Sequence, residues 1–283
     1  MPDRDPLRAL TVELASSAPL PPPIPSLNEG GTRTTWQGAR LAATVAAAIV
    51  IVTAAAAGVW NVVVTSESAA VANSSAVFEA AGASPVAFVT RDGTTLRAYL
   101  WSGGDHGVIV TPAFGMDSSE IIRFATSAHD TGATVMLVEP RGQGQSEGRQ
   151  DTLLLPSDLT DAIGDIRTRG ADSVTLVGMR HSATAAIVVA TEEVEGLETV
   201  VALFPFLQYQ GLDAIGVIGS ARVPIKVVGT GSPSPLGPWS FELGKAAPDG
   251  LANVEVLPFA GEEVSVLDAH MSRLLQIIKT YSY

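Results

Sequence analysis

Residues 174–190 read VTLVGMRHSATAAIVVA, and the architecture of the chain follows from this stretch. The first four residues are apolar or β-branched, a pattern typical of a buried strand. The small apolar residues after Ser182 predict a helix that packs closely on a sheet. Gly178 lies between the two elements, where the chain turns sharply. The stretch therefore predicts a strand, a tight turn and a helix, with Arg180 at the tip of the turn.

The composition limits the classes of protein and site. The chain has 283 residues and 46% of them are hydrophobic, which fits one domain of about 200 residues and a separate N-terminal region. The absence of Cys excludes disulfides, thiolate metal sites and a cysteine nucleophile. The four His lack metal-ligand spacing, and the net charge of -12 argues against a nucleic-acid partner. No phosphate-binding or dinucleotide-binding glycine motif occurs, so we expect no cofactor and no metal.

Residues 41–65 contain no charged side chain. About 20 such residues cross the hydrocarbon core of a bilayer, so we expect a transmembrane helix. A cleaved signal peptide would need a preceding n-region of roughly 40 residues, which is too long, and a buried soluble helix would be unusually long. Arg33 and Arg40 precede the span, and the next basic residue after it is Arg91. This asymmetry predicts a single-pass protein of the cell membrane, with its N-terminus cytoplasmic and its C-terminal domain outside.

The segments on either side of the span have the composition of connecting regions. Residues 1–40 include the Pro-rich sequence SSAPLPPPIPSLNEGGT at 16–32, which predicts a disordered cytoplasmic tail. This tail is either a spacer or a Pro-rich docking motif. Residues 66–84 are rich in Ser and Ala and predict a stalk, and residues 85–283 form the predicted folded domain.

Short β-rich runs alternate with helical runs in the predicted domain. Residues 86–89 and 96–100 flank the turn sequence RDGT, which indicates a hairpin. Six further strand-like runs follow at 108–110, 135–138, 174–177, 200–203, 225–228 and 254–257. The pattern predicts an α/β fold with eight strands in a mostly parallel sheet and helices on both faces. About 20 residues separate Leu203 from Val223, so any cap over the sheet is a single short helix.

Three segments carry motifs that point to one family. Residues 139–148 read EPRGQGQSEG and resemble the D-x-R-G-x-G-x-S-x-G segment that follows the fourth strand in the α/β-hydrolase family. Residues 111–116, TPAFGM, resemble its oxyanion loop, which is usually H-G-x-G-like. The turn at 178–182 resembles its nucleophile elbow, which is usually G-x-S-x-G. The resemblance extends over residues 85–283 and implies the α/β-hydrolase fold with a minimal cap.

The resemblance assigns Arg180 to the position of the nucleophile. A guanidinium stays protonated and has no lone pair with which to attack. Ser182 falls on the second glycine of the elbow, so it is either a displaced nucleophile or a small residue that caps the helix. The backbone N–H groups of Phe114 and His181 occupy the positions that the resemblance implies for the oxyanion hole.

The remaining two catalytic positions are also altered. Residues 257–264 read LPFAGEEV, and Glu262 stands where the family has its catalytic His. The loop at 229–238, GTGSPSPLGP, has no Asp or Glu for the acid position, and Asp213 and Glu242 lie too far from the strand end. His270 belongs to an amphipathic C-terminal helix and is interpreted as a surface or packing residue. We hypothesise that Arg180 forms an ion pair with Glu262 or with Glu263 beside it.

All three catalytic positions are altered, whereas the segments that build the scaffold are present. This combination resembles a catalytically inactive pseudo-hydrolase of a bacterial cell envelope, with a binding or scaffolding role. Its expected partner is an anionic small molecule, held by Arg180 at a helix N-terminus, or another protein. The alternative is a divergent serine hydrolase, an esterase or peptidase, that uses Ser182.

Overall fold

The computed structural model describes residues 76–114, 116, 118–231, 236–258 and 266–280. Its strands in chain order are β1 (Ser84–Val89), β2 (Thr95–Trp101), β3 (His106–Thr111), β4 (Thr134–Val138), β5 (Ser173–Met179), β6 (Leu197–Leu203), β7 (Gln208–Tyr209), β8 (Leu212–Asp213), β9 (Ile225–Thr230) and β10 (Ala252–Leu257). Its helices are α1 (Ser118–His129), α2 (Leu155–Thr168), α3 (His181–Val189), α4 (Ala214–Val217), α5 (Leu236–Ala246) and α6 (Val266–Thr280). Residues 76–80 are also helical.

Eight of these strands form one sheet in the order β1-β2-β4-β3-β5-β6-β9-β10. The pairs β1–β2 and β2–β4 are antiparallel, and all the others are parallel. The predicted eight-stranded, mostly parallel sheet is therefore confirmed. The order places β3 beside β5, with Thr111 opposite Gly178. Because parallel strands end at the same edge of a sheet, the loop after β3 and the turn after β5 lie next to each other.

Helices cover both faces of the sheet, as the alternation of strands and helices predicts. The apolar sides of α1 and α6 share one core with residues of β3, β4 and β5. The apolar sides of α2, α3 and α5 share a second core with the opposite faces of the same strands. The central strands consequently carry apolar residues on both faces, which explains their nearly continuous hydrophobic sequences.

The turn from β5 into α3 is very closely packed. A Cβ on Gly178 would lie 2.5 Å from the carbonyl oxygen of Ser182 and 2.7 Å from the Cα of Ala183. The helix that follows is lined with alanines, and Ala183, Ala185 and Ala186 are fully buried. Small side chains on α3 and the missing side chain at 178 together allow the helix to start directly against the end of β5.

The loop at 139–148 is joined to the sheet and to α2 by polar contacts. Arg141 is buried and makes a two-pronged contact with Asp158, with nitrogen–oxygen distances of 2.8 Å and 2.6 Å. A third interaction joins Arg141 to Asp92 in the β1–β2 turn at 3.0 Å. The hydroxyl of Ser146 donates to the carbonyl of Glu139 at 2.6 Å and accepts the backbone N–H of Arg97 at 2.8 Å. The arginine and serine of this segment thus hold three parts of the chain together.

The folded domain begins earlier than residue 85, where the sequence analysis placed its start. Phe78 is buried and stacks on Tyr99 with ring centroids 3.9 Å apart. The indole of Trp101 donates to the carbonyl of Ala81 at 2.9 Å. Residues of the predicted stalk therefore complete the core at the outer end of β2. The Ser- and Ala-rich composition of this segment does not reveal the contact, because Phe78 is its one large aromatic side chain.

Two further predictions concern the cap and the membrane span. The connection between β6 and β9 holds the β7–β8 ribbon as well as α4 and a 3-10 turn, so it contains more than the one predicted helix. The predicted transmembrane segment, residues 41–65, lies outside the described residues. None of the helices in the described ranges combines the length and the hydrophobicity needed to cross a bilayer.

Substituting Gly178 by Ala is expected to destabilise the domain by about 1–3 kcal/mol, since the new methyl group overlaps the start of α3. Gly164→Ala is the matched control, because Gly164 lies inside α2 with no atom within 4 Å of its added Cβ. This control is expected to stabilise the domain by about 0.5–1 kcal/mol. Urea denaturation of both variants measures the difference. Equal stability of the two variants would contradict the close packing described for the turn.

Candidate functional site

The tip of the turn after β5 has a strained backbone. Arg180 has φ 55° and ψ -115°, a conformation that residues with a Cβ rarely adopt. Its N–H donates to the carbonyl of Leu203 at the end of β6 at 2.8 Å, which fixes the turn to the sheet. Strained residues of this kind are characteristic of the nucleophile elbow, where they lift one side chain above the sheet edge. Arg180 therefore lies at the tip of the turn between β5 and α3, in a strained backbone conformation.

The guanidinium of Arg180 is exposed at this tip. It forms no ion pair or hydrogen bond with any residue that the structure describes. Glu262 and Glu263, the two acidic partners predicted from the sequence, lie outside the described residues. The ion pair across the site thus stays a prediction, and the described contacts leave the cation open to solvent.

Ser182 lies one helical step beyond the tip and faces the protein interior. Its side chain is fully buried, and its hydroxyl donates to the carbonyl of Pro112 at 2.7 Å. This is its one hydrogen bond to the described residues. The bond joins the first turn of α3 to the loop after β3. In this arrangement the hydroxyl hydrogen is committed to a backbone acceptor, and no described His or carboxylate contacts it.

His181 fills the space beside the predicted oxyanion loop. The backbone N–H of Phe114 donates to Nε2 of His181 at 3.3 Å, and the two rings stack with centroids 3.7 Å apart. Nε2 must be unprotonated to accept this bond, so the neutral ring carries its proton on Nδ1. The N–H group at position 114, which was predicted as an oxyanion donor, is consequently engaged by a side chain of the elbow.

The same packing keeps His181 uncharged. Burial and, to a smaller extent, the positive charge of Arg180 together lower the pKa of His181 to about 4. A buried cation beside a second cation is unfavourable on both counts. At neutral pH the ring is therefore a hydrogen-bond acceptor and a stacking surface, and it is not a cation.

An aromatic row continues from His181 along the mouth of the site. Tyr209 of the β7–β8 ribbon stacks on the His181 ring at 5.4 Å, and Phe206 stacks on Tyr209 at 5.1 Å. Trp239 of α5 contacts Phe206 at 5.9 Å with a tilted ring. This row was not predicted from the sequence. The aromatic pair in the short insertion after β6 was its only signal, and the position of Trp239 depends on the fold.

The remaining predicted residues do not converge on Arg180 in the described part of the chain. Residues 232–235 of the acid position lie outside the described residues, as does the base position at Glu262. Nε2 of His270 contacts the carbonyl of Pro258 at 2.9 Å, within a kinked part of α6. Asp213 caps α4 through the N–H of Gly216 at 3.0 Å, and Glu242 pairs with Lys245 at 2.9 Å. The described residues contain no group of His, Asp and Glu that could hold a metal ion.

Acidification is expected to destabilise the domain through His181. The folded-state pKa of about 4 lies below the ordinary value of 6.5, so the unfolded chain binds the proton more readily. The stabilising contribution of the neutral ring is complete above about pH 6.5 and is lost as the pH falls toward 4. Urea denaturation at pH 7.5 and 4.5 measures this loss in the wild type and in His181→Phe, which keeps a stacking ring. A pH-dependent loss of the same size in both proteins would contradict the assignment.

Comparisons of the sequence with protein-family models and with curated proteins each found no match. Comparison of the fold with solved structures found hydrolases. An esterase from Pyrococcus furiosus is 18% identical with a TM-score of 0.58, and the match covers 71% of this chain and 93% of that one. An α/β-hydrolase from a Penicillium species is 16% identical with a TM-score of 0.60, covering 71% and 99%. A dienelactone hydrolase from Anabaena variabilis is 18% identical with a TM-score of 0.58, covering 71% and 98%. The chain therefore has the α/β-hydrolase fold.

Proposed function

We propose that this chain is a hydrolase-like protein whose site binds a ligand or a partner without cleaving it. One observation carries the proposal: a permanently charged guanidinium stands at the elbow tip, in the backbone conformation that presents a nucleophile in this fold. Acyl transfer begins with attack by a lone pair, and Arg180 has none to offer.

The contacts of the neighbouring residues support the same conclusion. A substitute nucleophile would need a base within hydrogen-bond reach, whereas the hydroxyl of Ser182 is buried and donates to the carbonyl of Pro112. An oxyanion hole needs free N–H donors, whereas the N–H of Phe114 is bonded to the His181 ring. The hydroxyl of Ser182 and the N–H of Phe114 therefore both make structural hydrogen bonds within the site.

The charge and the surface of the site favour an anionic ligand. The exposed guanidinium of Arg180 stands at the start of the nine-residue helix α3, whose first backbone N–H groups also favour negative charge. The half-buried rings of Tyr209, Phe206 and Trp239 add an aromatic row that begins next to His181. A small carboxylate or phosphate compound, or an acidic side chain of a protein partner, suits these groups.

A divergent serine hydrolase remains the alternative, and the likeness to esterase and hydrolase structures favours it. In that case Ser182 would be the nucleophile. Its hydroxyl would first have to leave the carbonyl of Pro112, and a base would have to come from outside the described residues. The two functions differ in one measurable property, which is covalent reaction of a serine with a mechanism-based inhibitor.

Incubation of the full-length chain with a fluorophosphonate probe is expected to give no labelled protein, because no serine in the site is activated. Ser182→Ala is compared with the wild type by gel fluorescence and mass spectrometry. Ser157→Ala is the matched control, since the Ser157 hydroxyl also donates to a backbone carbonyl near a helix start, at 2.8 Å from the oxygen of Leu154.

A second experiment measures the binding of inorganic phosphate and acetate to the wild type and to Arg180→Met by calorimetry. The variant is expected to bind these anions at least tenfold more weakly, because it lacks the guanidinium.

Labelling that disappears in Ser182→Ala and persists in Ser157→Ala would establish the serine hydrolase and refute the binding function. Equal anion affinity of the wild type and Arg180→Met would refute the proposal that Arg180 binds an anionic ligand. Circular dichroism of each variant confirms that it is folded before either comparison is made.

We further propose that residues 41–65 anchor the protein in the cell membrane, with the hydrolase-like domain outside. The support is the uncharged length of this segment and the basic residues that precede it, Arg33 and Arg40. In this arrangement the binding site faces the cell envelope, and residues 1–40 stay in the cytoplasm.

Deletion of residues 41–65 is expected to move the expressed protein from the membrane pellet to the supernatant after an alkaline carbonate wash. Deletion of the Pro-rich segment 16–32 is the control and should leave the protein in the pellet. Protease added to spheroplasts should digest the C-terminal domain of the full-length chain. A pellet-bound protein that lacks 41–65, or a domain that resists protease until the cells are lysed, would contradict the proposed anchor or its orientation.

A further inference from the structure

A cavity of about 180 Å³ lies on the loop that carries Phe114, but Arg180, His181 and Ser182 are not among its described lining residues. Most of its wall is apolar, from Phe78, Ile121, Leu137, Val138 and residues of the loop after β3. Among the described lining residues, Glu139 and Gln143 carry the polar side chains. The cavity is thus a mostly apolar space with its polar groups on one segment, the loop after β4.

One of these polar groups is a donor without an acceptor. The Nε2 atom of Gln143 is buried and has no hydrogen-bond partner among the described residues. A buried donor that has lost water and gained no acceptor is unfavourable. Such a group in the wall of a cavity marks a place where a ligand acceptor would be stabilised.

The other polar group is an acceptor with spare capacity. The carboxylate of Glu139 accepts the backbone N–H of Gln145 at 2.7 Å and a hydrogen bond from the side chain of Tyr99. A carboxylate has about four acceptor positions, and the hydrogen bonds from the described residues use two of them. Burial raises the pKa of Glu139, which indicates that its charge is incompletely solvated. A donor from a ligand would stabilise that charge.

We infer that this cavity binds a compact, uncharged molecule with a primary amide on an apolar ring or short chain. The amide carbonyl accepts from Nε2 of Gln143, and the amide NH₂ donates to Glu139. The apolar part occupies the space between Phe78 and Leu137. An engineered cavity of about 150 Å³ holds benzene, so a volume of 180 Å³ accommodates a ring with a small substituent, such as benzamide.

Charged relatives of this ligand fit less well. A carboxylate in place of the amide would bring a second negative charge against Glu139 and would supply no donor. An ammonium group would satisfy Glu139 but would leave the donor of Gln143 without an acceptor. The cavity therefore selects for a group that both donates and accepts, and selection against either ion is the property to test.

Calorimetry and ligand-observed NMR with the full-length chain at pH 7.5 test this inference with benzamide, benzoate and benzylamine. Benzamide is expected to bind at least tenfold more tightly than either ion. Gln143→Met removes the donor at similar volume and is expected to weaken benzamide binding at least tenfold. Gln145→Met is the matched control, because this side chain belongs to the same loop, is not among the lining residues, and leaves the backbone N–H to Glu139 in place.

Benzylamine that binds as tightly as benzamide would overturn the amide assignment in favour of a cation. Equal benzamide affinity of wild type and Gln143→Met, or no binding of benzamide at millimolar concentration, would refute the site. Loss of binding in Gln145→Met as well would show a general effect of the loop, and would also count against it. None of these outcomes depends on the function proposed for Arg180.

Discussion

The contact between Gly178 and the start of α3 determines the geometry of the whole site. Because position 178 has no side chain, the helix begins against the end of β5 and the backbone at Arg180 takes a positive φ. The same close approach brings Ser182 within hydrogen-bond distance of Pro112 and places the ring of His181 against Phe114. The loop after β3, the turn after β5 and the helix α3 consequently pack as one unit. Close packing around Gly178 determines its geometry.

The segment at 139–148, which resembles the hydrolase motif, has a structural role of its own. Arg141 and Asp158 form a buried ion pair, and removal of one partner from such a pair costs about 3–5 kcal/mol, a large share of a domain's stability. Ser146 similarly joins the carbonyl of Glu139 to the N–H of Arg97. The E-P-R-G-x-G-x-S-x-G segment is therefore required for the fold whether or not the site is catalytic, and its presence carries no information about activity.

The sequence predicted the eight strands of the main sheet, the helices on both faces and the sharp turn at Arg180, because these depend on local periodicity and spacing. It did not predict that residues 76–83 join the core, since Phe78 and the acceptor at Ala81 meet partners on β2. The hydrogen bond from the Phe114 N–H to His181 could not be predicted from the sequence pattern either. Both are contacts between segments distant in sequence, and side-chain packing alone determines them. The aromatic row at Tyr209 escaped prediction for the same reason.

The residue at position 180 is not the one that the backbone conformation of this turn favours. A strained backbone of this kind is unfavourable by about 1–3 kcal/mol for a residue with a Cβ, and glycine would relieve most of that strain. Considered for stability alone, the turn therefore favours glycine over arginine. The exposed guanidinium of Arg180 gains no ion pair from the described residues that could offset the strain. A contact outside that set would offset the strain, either with the acidic pair at 262–263 or with an anionic ligand. The two contacts compete for the same guanidinium, and only the second gives this position a role in binding.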